Sequence, residues 1–86
     1  MIGSIKITLD NGQKYKLRKP GTLSEIDQSR TAIFLLDNMK VYSGCSDGEV
    51  DADGDFCIFK PGKNLGISIP YSRLMGWAYK RKGDMP

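Results

Sequence analysis

Glycine and proline interrupt this sequence of 86 residues at short intervals, and the segments between them alternate apolar and polar residues with a period of two. Alternation of this kind is typical of strands with one buried side, whereas an amphipathic helix repeats every 3.6 residues. A chain of this size buries only about 60 to 65% of the surface that its unfolded form exposes, which is enough for one modest core. We therefore expect one all-β domain over residues 1–86, built from about seven short strands.

A small, strongly bent barrel is the expected architecture, because closure removes exposed strand edges and a two-layer stack needs more chain. Gly44 lies inside a predicted strand and indicates a bulge or a sharp bend. Residues 22–28 have the one helical pattern, which predicts a single 3₁₀ or α turn. Residues 83–86 are expected to form a frayed tail. The strands after the first hairpin are predicted over 31–36, 39–45, 56–59, 65–69 and 74–81, with tight turns at 37–38, 60–64 and 70–73.

The N-terminal segment, residues 1–19, predicts a β-hairpin whose turn can be deduced from its faces. A two-residue loop would oppose Ile7 to Lys16 and mix apolar with charged residues on one face. A three-residue loop over 10–12 opposes Ile7 to Tyr15 instead. We therefore expect the three-residue loop, with its final glycine at positive φ.

Two later stretches resemble the Sm-like proteins, whose small barrels are close to the SH3-like type. Residues 34–44 look like their first motif, an apolar strand that turns and leads to a bend glycine, and residues 66–74 look like their strand, tight turn and final strand. The resemblance covers about residues 22–81, makes the first hairpin an addition, and implies an Sm-like or SH3-like barrel. Asn38 stands where the family usually has glycine, and no clear Asp-x-x-x-Asn element for RNA contact is present. The resemblance therefore supports the fold more than RNA binding.

An acidic stretch contains the candidate metal ligands Asp51, Asp53 and Asp55. Alternate carboxylates in a loop suit hard cations such as Ca²⁺. The spacing begins like an EF-hand loop but places Phe56 where the turn needs glycine and Gly62 where a bidentate glutamate belongs. An acidic hairpin loop without metal is the favoured interpretation, and the sequence predicts no cofactor.

Histidine is absent, so serine triads, cysteine–histidine pairs and imidazole chemistry are excluded. Cys45 and Cys57 flank the acidic stretch as potential cross-strand neighbours, and we expect both to be reduced because the chain shows no signal peptide. No catalytic residue is predicted, and we expect the protein not to be an enzyme. The absence of a signal peptide also predicts a cytoplasmic location. The longest apolar run has five residues, so no membrane contact is expected.

Basic and aromatic residues form the candidate partner site. Aromatic rings stack on bases while cations neutralise phosphates, which suits single-stranded nucleic acid. For Trp77 the alternative is a place in the core, and we favour the core by roughly two to one because large aromatic residues are so often buried. The candidate residues for a nucleic acid or protein partner are Lys14, Lys16, Arg18, Lys60, Lys63, Arg73, Trp77, Tyr79, Lys80, Arg81 and Lys82.

The charge is unevenly distributed along the chain. The net charge of +3 divides into +4 over residues 1–23, −6 over 24–59 and +5 over 60–86. This polarity fits nucleic acid, an acidic protein partner or contact between copies. The expected function is a non-catalytic interaction or assembly module whose edge strands pair with a protein partner or another copy. An Sm-like module that binds RNA is the alternative.

Overall fold

The computed structural model describes residues 5–60 and 65–81, which form an all-β fold, as predicted. The helical turn predicted over 22–28 forms earlier, as a 3₁₀ helix over Pro20–Glu25, because proline suits the first helical position. A second 3₁₀ helix, Tyr71–Arg73, occupies the predicted turn before the last strand. The strands are β1 (Lys6–Thr8), β2 (Lys14–Lys16), β3 (Ala32–Leu36), β4 (Val41–Gly44), β5 (Asp55–Phe59), β6 (Gly66–Pro70) and β7 (Leu74–Tyr79).

The strands form three small sheets, so the predicted closed barrel is wrong. The sheets have the orders β1-β2, β4-β3-β7 and β5-β6, all antiparallel. Single bridges join them, Arg18 with Trp77 and Cys45 with Phe59. When the sheets and these bridges are combined, neighbouring strands follow one another along the path β1-β2-β7-β3-β4-β5-β6. Its end strands, β1 and β6, do not pair within the described ranges, because the first hairpin folds over the central sheet and does not reach β6.

The hairpin β1-β2 has the predicted register. Ile7 lies opposite Tyr15, and Leu17 donates its N–H to the carbonyl of Ile5 (2.7 Å). Gly12 closes the three-residue loop at a φ of 85°. The inward side of the hairpin can therefore pack on the central sheet while its outward side remains in solvent.

The loop between β3 and β4 is one residue longer than predicted. Leu36 donates its N–H to the carbonyl of Lys40 and accepts a hydrogen bond from Met39 (3.0 and 2.9 Å), so the loop spans 37–39. Met39 takes the left-handed position at a φ of 67°. The prediction of a two-residue turn was therefore wrong. Glycine is the residue that usually indicates a left-handed position at the end of a loop, and here a methionine holds it.

Gly44 is the last residue of β4 that pairs with β3, and the next residue pairs with β5. A Cβ atom there would lie 2.8 Å from both the Ile58 side chain and the Phe59 carbonyl oxygen. The next residue, Cys45, then exchanges two backbone hydrogen bonds with Phe59. A side chain at this position would therefore collide with β5, so the place requires glycine because the two strands approach closely.

Buried side chains cover both faces of the central sheet. One face packs against β5, β6 and the first 3₁₀ helix, and the other packs against the hairpin. The first cluster contains Leu23, Ile26, Ala32, Phe34, Leu36, Phe56, Ile58, Ile69, Leu74 and Trp77. The second contains Tyr15, Leu17, Ile33, Leu35 and Ala78. The fold therefore has three layers, with strands β1 and β6 at the two ends of the path.

Candidate functional site

Strand β6 has a free edge on the side away from β5. Tyr71 donates its N–H to the Gly54 carbonyl (2.8 Å), and hydrogen-bonded pairs alternate with non-bonded pairs in an antiparallel ladder. The backbone groups of Gly66, Ser68 and Pro70 therefore point away from β5. In the described part of the chain no strand pairs with this edge. Pro70 loses no ladder bond there, since a proline is tolerated where the N–H position faces outward.

An apolar groove of about 510 Å³ extends from β4 across the end of β5 to the beginning of β6. Leu65 is 85% exposed and Ile67 is 43% exposed, although both follow the alternation that buries Ile69. The lining of the groove consists of Tyr42, Ser43, Ile58, Phe59, Lys60, Leu65, Gly66 and Ile67. An added strand with apolar side chains at alternate positions would fill it.

Strand β1 likewise has an edge that pairs with no other strand among the residues whose structure is described. The ladder bonds at Ile5 and Leu9 leave the backbone groups of Lys6 and Thr8 pointing away from β2. Ile5 is 37% exposed on the inward side. A lysine on an edge strand discourages unspecific pairing, so β1 is the more selective of the two edges.

Three of the predicted cations follow one another along the hairpin and its extension. Lys14, Lys16 and Arg18 alternate on one side of an extended segment, about 6.6 Å apart from one to the next. Lys6, which the sequence analysis did not select, lies directly opposite Lys16. Among the residues described, no carboxylate lies within 4.0 Å of these cations. We call Lys6, Lys14, Lys16 and Arg18 the basic stripe.

Trp77 is fully buried, so it cannot serve as a stacking platform, and its predicted place in the core is confirmed. Its ring contacts Tyr79 edge-on, with 5.1 Å between the centroids. Arg18 lies over Trp77 and Tyr79 (5.2 and 5.0 Å), and Arg30 lies over Tyr79 (3.8 Å). The arginines therefore cover the rings that the sequence analysis offered for base stacking. The hydroxyl of Tyr79 accepts a hydrogen bond from the Asp27 N–H (2.9 Å).

Arg81 belongs to the hairpin end of the molecule. Its guanidinium donates to the Lys14 carbonyl and the Gln13 side chain (2.6 and 3.0 Å) and lies over the Tyr15 ring (4.3 Å). These contacts join the end of β7 to β2. Arg81 therefore adds positive charge beside the basic stripe while it also holds the hairpin in place.

The remaining candidate cations are dispersed. Arg73 pairs with Asp37 (3.1 Å) and so is directed to the loop after β3. Lys60 borders the apolar groove, and Lys80 is half-buried after β7. Lys63 and Lys82 lie outside the described residues, as does the predicted tail. The structure does not gather all the basic residues on one face.

The acidic stretch forms a hairpin turn. The Asp51 carboxylate accepts hydrogen bonds from the N–H groups of Asp53 and Asp55 (2.9 and 3.0 Å). Gly54 closes the turn at a φ of 84°. No group of three potential ligands converges on a common point in the described ranges. The Asp51 carboxylate therefore serves the turn, as expected of an acidic hairpin loop.

The two cysteines are free thiols that do not face each other. Cys45 is buried opposite Phe59, and Cys57 is half-buried opposite Ser68. The sequence allowed the two cysteines to be cross-strand neighbours, but they are not directly opposed, because the residue opposite Cys45 is two positions beyond Cys57.

The first 3₁₀ helix ends in a polar turn with one perturbed carboxyl group. The Ser29 hydroxyl and N–H donate to Oδ1 of Asp27 (2.6 and 3.0 Å). These bonds, with a smaller contribution from the Arg30 charge, lower the pKa of Asp27. The negative charge near Arg30 is therefore retained to lower pH than in an isolated aspartate.

Sequence reasoning missed the free edge of β6. Its signals were present, because a proline within a strand favours an edge position and Leu65 and Ile67 alternate around glycine. The prediction of closure concealed them, since a closed barrel has no such edge. Arg30 was missed because nothing in its local sequence places it beside Tyr79.

Comparison with protein-family models, curated proteins and solved structures finds no match for this chain. In the described residues, no helix has the length and apolar character needed to cross a membrane. The geometry of the surfaces is thus the basis for functional argument.

Proposed function

We propose that this protein is a non-catalytic interaction module that binds an extended protein segment at the free edge of β6. The observation that carries the proposal is the unpaired edge beside the apolar groove. Backbone groups of Gly66 and Ser68 supply hydrogen bonds, and the groove supplies a place for alternate side chains. Strand addition of this kind needs no catalytic group.

The occupant is an alternating apolar and polar strand. Ile67 and Leu65 are exposed on one face of the sheet. Every second residue of the added segment lies on that same face and is therefore apolar. On the other side Gly66 and Ser68 present little bulk. Proline is excluded at those positions of the segment whose N–H groups face β6, because each of these groups donates a hydrogen bond to the strand.

A peptide titration tests this proposal. A synthetic alternating isoleucine–threonine peptide with lysine at both ends is added to the isotope-labelled protein, and amide resonances are followed. We expect shifts at Gly66, Ile67 and Ser68, and smaller shifts in the Ser68→Pro variant, which lacks the outward N–H. Ser68→Ala retains that N–H and is the matched control. Unmoved β6 resonances at millimolar peptide would refute the proposal.

Nucleic acid binding is a second candidate function, favoured by the basic stripe. Three cations at regular spacing on one extended segment suit successive phosphates. The burial of Trp77 removes base stacking on that ring, so any binding would depend on phosphate contacts and show little sequence preference. This candidate uses a surface distinct from the edge of β6.

Fluorescence anisotropy with labelled single-stranded RNA and DNA tests the second candidate. If three phosphates are contacted, log K falls with log salt at a slope of about −2. The double variant Lys14→Ala/Lys16→Ala should reduce the slope, while Lys40→Ala, in the loop after β3, should leave it unchanged. Absence of binding at low salt would eliminate this function.

A further inference from the structure

Within residues 5–60 and 65–81, two strand edges are unpaired, and they match each other. Strand β1 presents the backbone of Lys6 and Thr8, and β6 presents the backbone of Gly66 and Ser68. We propose that copies of this protein assemble head to tail, with β1 of one copy added antiparallel to β6 of the next. This inference rests on the proposed function and names its partner as a second copy.

The backbone groups fix one register. With Gly66 opposite Thr8 of the next copy and Ser68 opposite its Lys6, all four residues direct their N–H and C=O groups at the junction. Each opposed pair exchanges two hydrogen bonds, which makes four in total. Pro70 lies beyond the Ser68 pair, so its missing N–H breaks none of these bonds.

The same register matches the inward faces of the two strands. Residues that oppose each other in an antiparallel pair project to one side of the sheet. The exposed apolar residues Leu65, Ile67 and Ile5 would each gain an apolar partner. The apolar pairs, with the residue of the next copy second, are Leu65 with Leu9, Ile67 with Ile7, and Ile69 with Ile5.

Other registers fit less well. A shift of one residue opposes apolar to polar side chains along the whole junction. A shift of two residues toward the end of β6 places Lys6 opposite Pro70, where one hydrogen bond is lost, and leaves Leu65 beyond the end of the pairing. The antiparallel register that opposes Ser68 to Lys6 is therefore the favoured one.

Charge also favours contact between unlike edges. Pro70 lies opposite Asp55, so the Pro70 end of β6 adjoins the acidic turn, and Lys6 of the next copy lies toward that end. Two β1 edges would instead bring two sets of hairpin lysines together. Two β6 edges would oppose Pro70 to Gly66 twice, and each pairing lacks one N–H. Opposite charge at unlike edges selects the head-to-tail contact.

Because each contact joins the β1 edge of one copy to the β6 edge of the next, a row of copies has a free β1 edge at one end and a free β6 edge at the other. It propagates as an open chain, or it closes into a ring if the rotation between copies permits. Each junction pairs one exposed edge of either kind and covers the β6 side of the groove, and only a ring leaves no edge free. The junction uses two short strands, so assembly should depend on protein concentration.

Two proline variants test the proposal by light scattering coupled to size-exclusion chromatography. Ser68→Pro blocks the β6 edge, and Thr8→Pro blocks the β1 edge, since both outward N–H groups are free of intrachain ladder bonds. The unmodified protein should exceed the monomer mass of 9.6 kDa as its concentration rises. Each variant alone should remain a monomer, while an equimolar mixture should form a species of twice that mass and nothing larger. Ser68→Ala and Thr8→Ser are the matched controls and should assemble.

The outcomes separate the alternatives. Self-association of Thr8→Pro alone would show pairing of two β6 edges, and self-association of Ser68→Pro alone would show pairing of two β1 edges; either result overturns the head-to-tail contact. A strict monomer at millimolar concentration overturns self-assembly, while shifts with the peptide would still support strand addition. If the amide spectrum of a proline variant shows unfolding, Ile67→Lys is used in place of Ser68→Pro, and Ile5→Lys in place of Thr8→Pro. Both lysine variants keep the backbone N–H groups.

Discussion

The indole N–H of Trp77 donates a hydrogen bond to the hydroxyl oxygen of Thr22 across 3.1 Å. That hydroxyl in turn donates to the Lys19 carbonyl (2.7 Å), so it satisfies one donor and one acceptor at once. The contact joins the first 3₁₀ helix to β7, 55 residues away in sequence. It explains how a helix of six residues holds its place over the core although so short a helix has little stability of its own.

Thr22→Val should destabilise the protein more than Thr22→Ser. Valine has a similar shape but leaves the buried indole N–H without an acceptor, which costs about 1–3 kcal/mol. Serine retains the hydroxyl and loses only a methyl group. Urea unfolding followed by tryptophan fluorescence measures the difference. Equal midpoints for the two variants would show that the hydrogen bond contributes nothing.

Met39→Gly should stabilise the protein. Among the described residues Met39 is the only non-glycine residue at positive φ, and the equivalent position of two other three-residue loops is held by Gly12 and Gly54. Relief of a left-handed strain of about 1–2 kcal/mol outweighs the extra entropy that glycine adds to the unfolded chain, about 0.4–1 kcal/mol. Thermal and urea unfolding should show a net gain of roughly 0.5–1 kcal/mol. Asn38→Gly, one residue earlier, should show no gain.

Gly48→Ala should cost more stability than Gly54→Ala. Both glycines have positive φ, 77° and 84°, so both variants incur the left-handed penalty of about 1–2 kcal/mol. Only at Gly48 would the new Cβ meet the backbone, 2.5 Å from the Leu23 carbonyl oxygen, whereas nothing lies within 4 Å at Gly54. Overpacking should add about 1–3 kcal/mol at Gly48. Similar unfolding midpoints for the two variants would contradict this contact.

The carboxyl of Asp27 should titrate below the usual range for aspartate, and Ser29→Ala should raise its pKa. The variant removes the hydroxyl donor, which is the largest cause of the lowered pKa, and keeps the backbone donor. Because the folded pKa is lowered, the stabilisation is present above the unfolded value of about 3.9 and is lost as the pH falls through the folded pKa. Carbon-13 NMR of the side-chain carboxyl measures both values. An unchanged pKa in Ser29→Ala would contradict the assignment of this cause.

Local patterns predicted the local structure well, and the closure of the sheet was the point at which they failed. The register of Ile7 with Tyr15 follows from opposed faces, and the positive φ of Gly12 follows from the length of its loop; both depend on neighbouring residues. Closure depends on whether β1 reaches β6, which no local pattern reports. The contact of Arg30 with Tyr79 was equally beyond prediction, since it joins segments that only the tertiary fold brings together.

Lys16→Glu should stabilise the protein at low salt. Lys16 lies directly opposite Lys6, with Lys14 on the same side of the hairpin, and like charges in opposed positions destabilise a pair of strands. The substitution replaces repulsion with attraction, a gain of about 0.2–1 kcal/mol. In 1 M salt the screening length falls to about 3 Å and the gain should vanish. Lys40→Glu, in the loop after β3, is the matched control, and urea unfolding at both salt concentrations measures each variant. A loss of stability in Lys16→Glu, or a gain that persists in high salt, would contradict the role given to the opposed lysines.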